Sequence, residues 1–136
     1  MIKATCAFLI FVAISSLGGL VTANPTSLEK YAWTNRLIIL VTDNKSSGLK
    51  KQVEMFFEKH VCGVGARNLK LLHFSRDGVA ETQLPKKIRS KTGIWLIGYD
   101  GSIKDFSAGR QLLDRLFQTI DTMPMRQNEI TNGPLC

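Results

Sequence analysis

Three kinds of residue in this chain could carry chemistry: thiols, soft metal donors, and one dense polar string near the end. The thiols are Cys6, Cys62 and Cys136. A thiolate becomes a working nucleophile at a helix N-terminus or beside a cation, where its pKa falls. Cys62 instead lies near the C-terminal end of a helical stretch, where partial negative charge disfavours the anion, and this suits a bridge or a buried thiol better than catalysis. The soft donors are His60, Cys62, His73, Met123 and Met125, types that hold Cu(I) in exported proteins. No two of them have ligand spacing. Met123 continues an apolar stripe three residues after Ile120, so packing is the expectation, and no metal, cofactor or catalytic residue is assigned.

The polar string is "IDTMPMRQNE", residues 120–129. Pro124 reads as a helix stop, and Met123 and Met125 as plugs under the sheet edge or against Trp33. Arg126 and Glu129 read as a local ion pair, and Arg36 as a partner for Asp121. These pairings would join residues 31–36 to residues 123–129.

The elements that position these residues follow a leader. "MIKATCAFLIFVAISSLGGLVTA" has one Lys, an apolar run and a small-residue end, so residues 1–23 read as a signal peptide removed after Ala23. As a helix its apolar run is short for a membrane span and is broken by Ser15, Ser16, Gly18 and Gly19, so the mature protein is expected not to be an integral membrane protein. Cleavage removes Cys6 and Lys3, taking the formal charge from +7 to +6. Cys62 and Cys136 then remain in an oxidising compartment, either bridged or as a buried thiol and a loose terminal one. The expected location is outside the cytoplasm, foremost a bacterial periplasm, with secretion to the medium the other destination that export allows.

The remaining residues, 24–136, have the size and composition of a single globular domain. "RLIILV" is a continuous apolar run that suits a strand covered on both faces. Leu49, Val53, Phe56, Phe57 and His60 share one helical stripe, which the glycines of "CGVGARN" are expected to stop. "LKLLHF" is a second buried strand, and "LPKKIRSK" a short helix. "IWLIGY" and "SIKDF" flank Asp100-Gly101, a dipeptide suited to a type I′ hairpin turn. Leu112, Leu113, Leu116, Phe117 and Ile120 mark a last helix. The order β-α-β-α-β-β-α predicts an α/β, thioredoxin-like fold: a mixed four-stranded sheet with helices on both faces. A ferredoxin-like sandwich is the alternative, since element order does not fix strand order.

Three strings, "YAWTNRLIIL", "LIGYDGSIK" and "IDTMPMRQNE", resemble the domain-of-unknown-function 4174 family of peroxiredoxin-like, thioredoxin-fold domains. That family occurs in small exported bacterial proteins and in vertebrate extracellular proteins with sushi repeats. The resemblance covers about residues 31–129 and implies the fold, but no reaction. Its motif residues here are Trp33, Arg36, Gly98, Asp100, Gly101, Met123, Pro124, Met125, Arg126 and Glu129, all read as structural.

Redox enzymes of that fold carry a thiolate ahead of the helix after the first strand, and thioredoxins add a cis-proline before the third. Here the first place reads "NKSSG", with Ser46 and Ser47, and the second Thr92-Gly93. The expectation is therefore a binding or structural module of the cell envelope. The alternative is a thiol oxidoreductase or peroxiredoxin-like enzyme built on Cys62. Lys86, Lys87, Arg89 and Lys91 offer a contact for an anionic surface, although a solvated helix face explains them as well. An unknown envelope protein is the other partner class, and export argues against nucleic acid. His73 reads as a core histidine, and Asp43 with Asn44 as a polar pair where open α/β sheets bind ligands.

Overall fold

A computed structural model describes residues 28–79, 83–133 and 136. The signal-peptide expectation, residues 1–23, lies outside the described residues. Among the described residues no helix is long and apolar enough to cross a membrane.

The sheet has the order β2-β1-β3-β4, with β1 (Arg36–Thr42) at its centre beside β2 (Leu69–Ser75) and β3 (Gly93–Ile97), and β4 (Ile103–Ser107) at one edge. β1 pairs in parallel with β2 and antiparallel with β3, which pairs antiparallel with β4. The apolar run in β1 is buried along its whole length, as a strand covered on both faces must be. Alternation then divides the core. Ile38, Leu40, Ile94 and Leu96 pack with Val53 of α1 (Ser47–Lys59) and with Leu112, Leu116 and Ile120 of α4 (Gln111–Asp121). Leu37, Ile39, Val41, Trp95 and Ile97 pack on the other face, with Leu84 and with Ile88 of α3 (Lys86–Arg89). Helices therefore cover both faces of a mixed four-stranded sheet. The chain is an α/β protein, in agreement with the thioredoxin-like arrangement.

Two further helices depart from the expected order. The glycines of "CGVGARN" do not stop the helical run. The break falls at His60, and α2 (Val61–Ala66) continues through Gly63 and Gly65. Gly63 is there for close approach: a Cβ on it would lie 2.8 Å from the Phe117 ring of α4. Asn68, at φ 48°, then turns the chain into β2. Pro124 likewise opens a helix rather than only closing one. α4 ends at Asp121, and α5 (Pro124–Asn132) begins with the proline in its first turn, where the missing N–H costs nothing.

The β3–β4 turn is also not type I′, because of Asp100 and Gly101 only Gly101 has positive φ, at 77°. The Gly101 N–H donates to the Gly98 carbonyl and the Gly98 N–H to the Ser102 carbonyl, so the loop is longer than a two-residue hairpin.

Candidate functional site

Arg36 is the first residue of β1, at the end of the sheet opposite the C-terminal edge of that strand, and its side chain is 1% exposed. Its Nη1 donates to the Arg67 carbonyl at 3.0 Å and to both Glu129 oxygens, at 3.2 and 3.0 Å. The guanidinium lies 4.0 Å from the centre of the Tyr99 ring. The Tyr99 hydroxyl donates to Glu129 and accepts from Asn68 Nδ2. Burial acts to raise the Glu129 pKa, but hydrogen bonds from Tyr99 and Arg36 outweigh it and hold the carboxyl below its ordinary value. Burial and the Glu129 carboxylate push the Tyr99 phenol up.

A second ion cluster adjoins this one. Arg67 meets Asp121 through Nε at 2.9 Å and Nη2 at 2.6 Å, a bidentate pair. Arg126, 5% exposed, donates from Nε to Asp121 and from Nη1 to the Ala66 carbonyl, and stands 3.5 Å from Glu129. The expected pairing of Arg36 with Asp121 is therefore corrected. Asp121 serves Arg67 and Arg126, while Arg36 takes Glu129, because α5 runs helically and carries Glu129 back to the start of β1. The local pair of Arg126 with Glu129 is present at the longer distance.

Above this polar floor lies a groove of about 230 Å³, lined by Trp33, Arg36, Gly98, Tyr99, Asp100, Lys104, Met123, Pro124 and Met125. Trp33 is 66% exposed and sits at φ 64°, a conformation that costs a bulky residue about 1–3 kcal/mol. Its N–H donates to the Tyr99 carbonyl at 2.7 Å, which holds it there. Met123 packs against the core below, whereas Met125 is 44% exposed. Lys104 and Asp100 form an ion pair at 3.2 Å beside the groove. The backbone N–H and hydroxyl of Ser102, followed by Lys104, lower the Asp100 carboxyl to about 2. Gly101 belongs to the same turn but not to the lining.

The other candidates lie elsewhere. Cys62 and Cys136 form a disulfide, with Cα atoms 5.7 Å apart. His60 lies against the Phe56 ring and meets Phe117 edge-on, and His73 shares a 2.7 Å hydrogen bond with Thr42. Desolvation, then Lys50, lowers the His73 pKa. Asp43 accepts from Ser46 Oγ and the Lys45 N–H in a local turn ahead of α1. Lys86, Lys87 and Lys91 are exposed, while Arg89 is half-buried, so the four do not make one free face. Among the described residues no group of three His, Cys, Asp or Glu could hold a metal ion.

Sequence reasoning missed Tyr99, Arg67, Asn68 and Lys104. Tyr99 and Lys104 stand inside the string "LIGYDGSIK", and that closeness was the only signal. Arg67 and Asn68 were hidden in a run read as a helix stop.

These features define an α/β domain in which the start of β1 and α5 meet over a buried arginine. The family model for the domain of unknown function DUF4174 matches residues 27–129, and the chain belongs to that family. No curated protein and no solved structure matches it significantly.

Proposed function

We propose that the protein is an exported, thioredoxin-like binding module of the cell envelope that performs no thiol redox chemistry, with the Trp33–Met125 groove as its contact site. The observation that carries this reading is the groove itself. The three distinctive strings of the sequence converge there, and a strained Trp33 and a half-exposed Met125 face solvent beside a buried guanidinium. Exposed aromatic and thioether surface held under backbone strain is characteristic of contact sites. The disulfide supports the non-redox half. The break at His60 puts Cys62 in the first turn of the short α2 rather than at a helix C-terminal end as the sequence suggested, so what argues against a reactive thiol there is its bridge to Cys136. Ser46 occupies the N-cap of α1, the place after the first strand where this fold activates a thiol. A bacterial periplasm is the proposed compartment, and the exposed Lys86, Lys87 and Lys91 add a contact for an anionic surface.

Insulin and peroxide reduction assays, run with and without dithiothreitol, test the reading. The expected result is no turnover above the reductant blank. Turnover that disappears on alkylation of Cys62 would replace it with the thiol oxidoreductase alternative.

A further inference from the structure

We propose that the groove binds a small carboxylate joined to an apolar group, with the Nε–Nη2 edge of Arg36 receiving the carboxylate. The proposal rests on the binding-module reading and names its ligand class. An arginine has two hydrogen-bonding sides, and the edge formed by Nε and Nη2 matches the two oxygens of a carboxylate. Arginines of this chain use that edge internally. Arg67 presents it to Asp121 at 2.9 and 2.6 Å, and Arg115 presents it to Asp105 at 2.7 and 2.9 Å.

Arg36 differs. Its side-chain hydrogen bonds all leave from Nη1, and its buried Nε and Nη2 have no partner among the described residues. A buried donor without a partner is destabilising, so two on one cation are a strain that an acceptor would relieve. Glu129 faces the other nitrogen and Tyr99 covers the ring plane, which fixes the guanidinium in place before any ligand arrives.

The walls decide the rest of the ligand. Trp33, Met123, Pro124 and Met125 present indole, thioether and pyrrolidine surface, which suits an aromatic or branched aliphatic group. The volume, near 230 Å³, lies below the about 300 Å³ at which drug-sized sites begin, so the groove itself holds one large side chain and anything longer would extend past its open rim. Phosphate fits less well, because Lys104, the other cation of the lining, is already paired with Asp100 at 3.2 Å and the facing wall is apolar. A peptide C-terminus and a free aryl or alkyl carboxylate share the required chemistry.

Titration of the full disulfide-bonded protein, followed by the fluorescence of exposed Trp33 and by calorimetry, tests the proposal. Trp95, 3% exposed, lies away from the groove and contributes a constant background. The probes are N-acetyl-L-phenylalanine, 3-phenylpropionate and the uncharged N-acetyl-L-phenylalaninamide. Both carboxylates should bind saturably, and the amide about tenfold or more weakly. Tighter binding of the acetylated amino acid assigns a peptide end, and equal binding a free carboxylate.

Arg36→Gln, which removes the charge and the two-nitrogen edge together, should abolish the discrimination between acid and amide. If that variant does not fold, Met125→Glu at the exposed wall should weaken the carboxylates at least about tenfold with the melting temperature unchanged. Equal binding of acid and amide, no saturation by any probe, or carboxylate affinity untouched by Met125→Glu would overturn the proposal. Failure of the titration leaves the non-redox reading standing on its turnover assays. Thiol-dependent turnover sinks that reading whatever the probes do.

Discussion

Arg36 and Glu129, 93 positions apart, form the ion pair that fastens the last helix to the first strand: one Nη1 meets both carboxylate oxygens, with the side chains 1% and 24% exposed. Removing one member of such a pair strands the other. Glu129→Ala should lower the unfolding free energy by about 2–4 kcal/mol, since among the described residues it leaves a buried guanidinium with the Arg67 carbonyl as its one hydrogen-bond acceptor. Urea unfolding of the purified variant measures this. A loss below 0.5 kcal/mol would mean that the pair is as dispensable as an exposed one.

The same carboxyls set the acid response. Glu129 and Asp121 both lie below their ordinary values, in each case because hydrogen bonds from their arginines, and for Glu129 also from Tyr99, outweigh burial. The unfolded chain therefore binds protons more readily. The stability they supply is complete above the unfolded carboxyl range, near about 4, and is lost as pH falls through the lower folded values. His73, lowered by burial and by Lys50, adds a loss of the same sign that begins below its ordinary 6.5. The double variant Asp121→Asn, Glu129→Gln should be less stable at pH 7 yet show a flatter decline below pH 4. Urea midpoints across pH 3–7 give the comparison, with the His73 contribution common to both proteins.

Much of this architecture was legible because burial on both faces writes itself into sequence. "RLIILV" could be little else than a central strand, and the Leu112, Leu116 and Ile120 stripe fixed a helix face. The site was legible only as pieces. The sequence marks Trp33, Arg36, Met123 and Met125 and predicts that their segments touch, but it does not predict α5. Its sequence, "PMRQNEITN", has no continuous apolar stripe: its one buried side chain is Arg126, held by Asp121 and Ala66 rather than by hydrophobic packing. Periodicity cannot see a helix anchored by ions. With α5 unseen, Glu129 had no route back to Arg36, and Asp121 was assigned in its place.

The Cys62–Cys136 bridge closes a separation of 74 residues. In the chain-entropy model a loop of that length is worth about 4 kcal/mol against the unfolded chain. Reduction, or Cys62→Ser with Cys136→Ser, should lower stability by up to that amount, and the sheet should persist because neither cysteine contributes to its core. Far-UV circular dichroism with thermal melts, with and without reductant, reads both outcomes.

Gly93 opens β3 with φ at 141°, and a Cβ built on it would lie 2.4 Å from the Ser107 carbonyl oxygen and 2.8 Å from the Phe106 ring. The first obstacle is backbone of the neighbouring strand and has no rotamer to change. Gly93→Ala should therefore cost about 2 kcal/mol or more, through unfavourable dihedrals and a forced separation of β3 from β4.

The two methionines of "MPMR" should separate in the same way that their burial does. Met123 packs against the core beneath α1 and α4, so Met123→Ala removes a filled volume and should cost about 2 kcal/mol. Met125 is 44% exposed on the groove wall, and Met125→Ala should change stability by less than about 0.5 kcal/mol. Equal losses in paired urea melts would mean that both side chains are packing residues and that the groove wall is part of the core. A loss at Met123 alone leaves the Met125 thioether as surface that folding does not require.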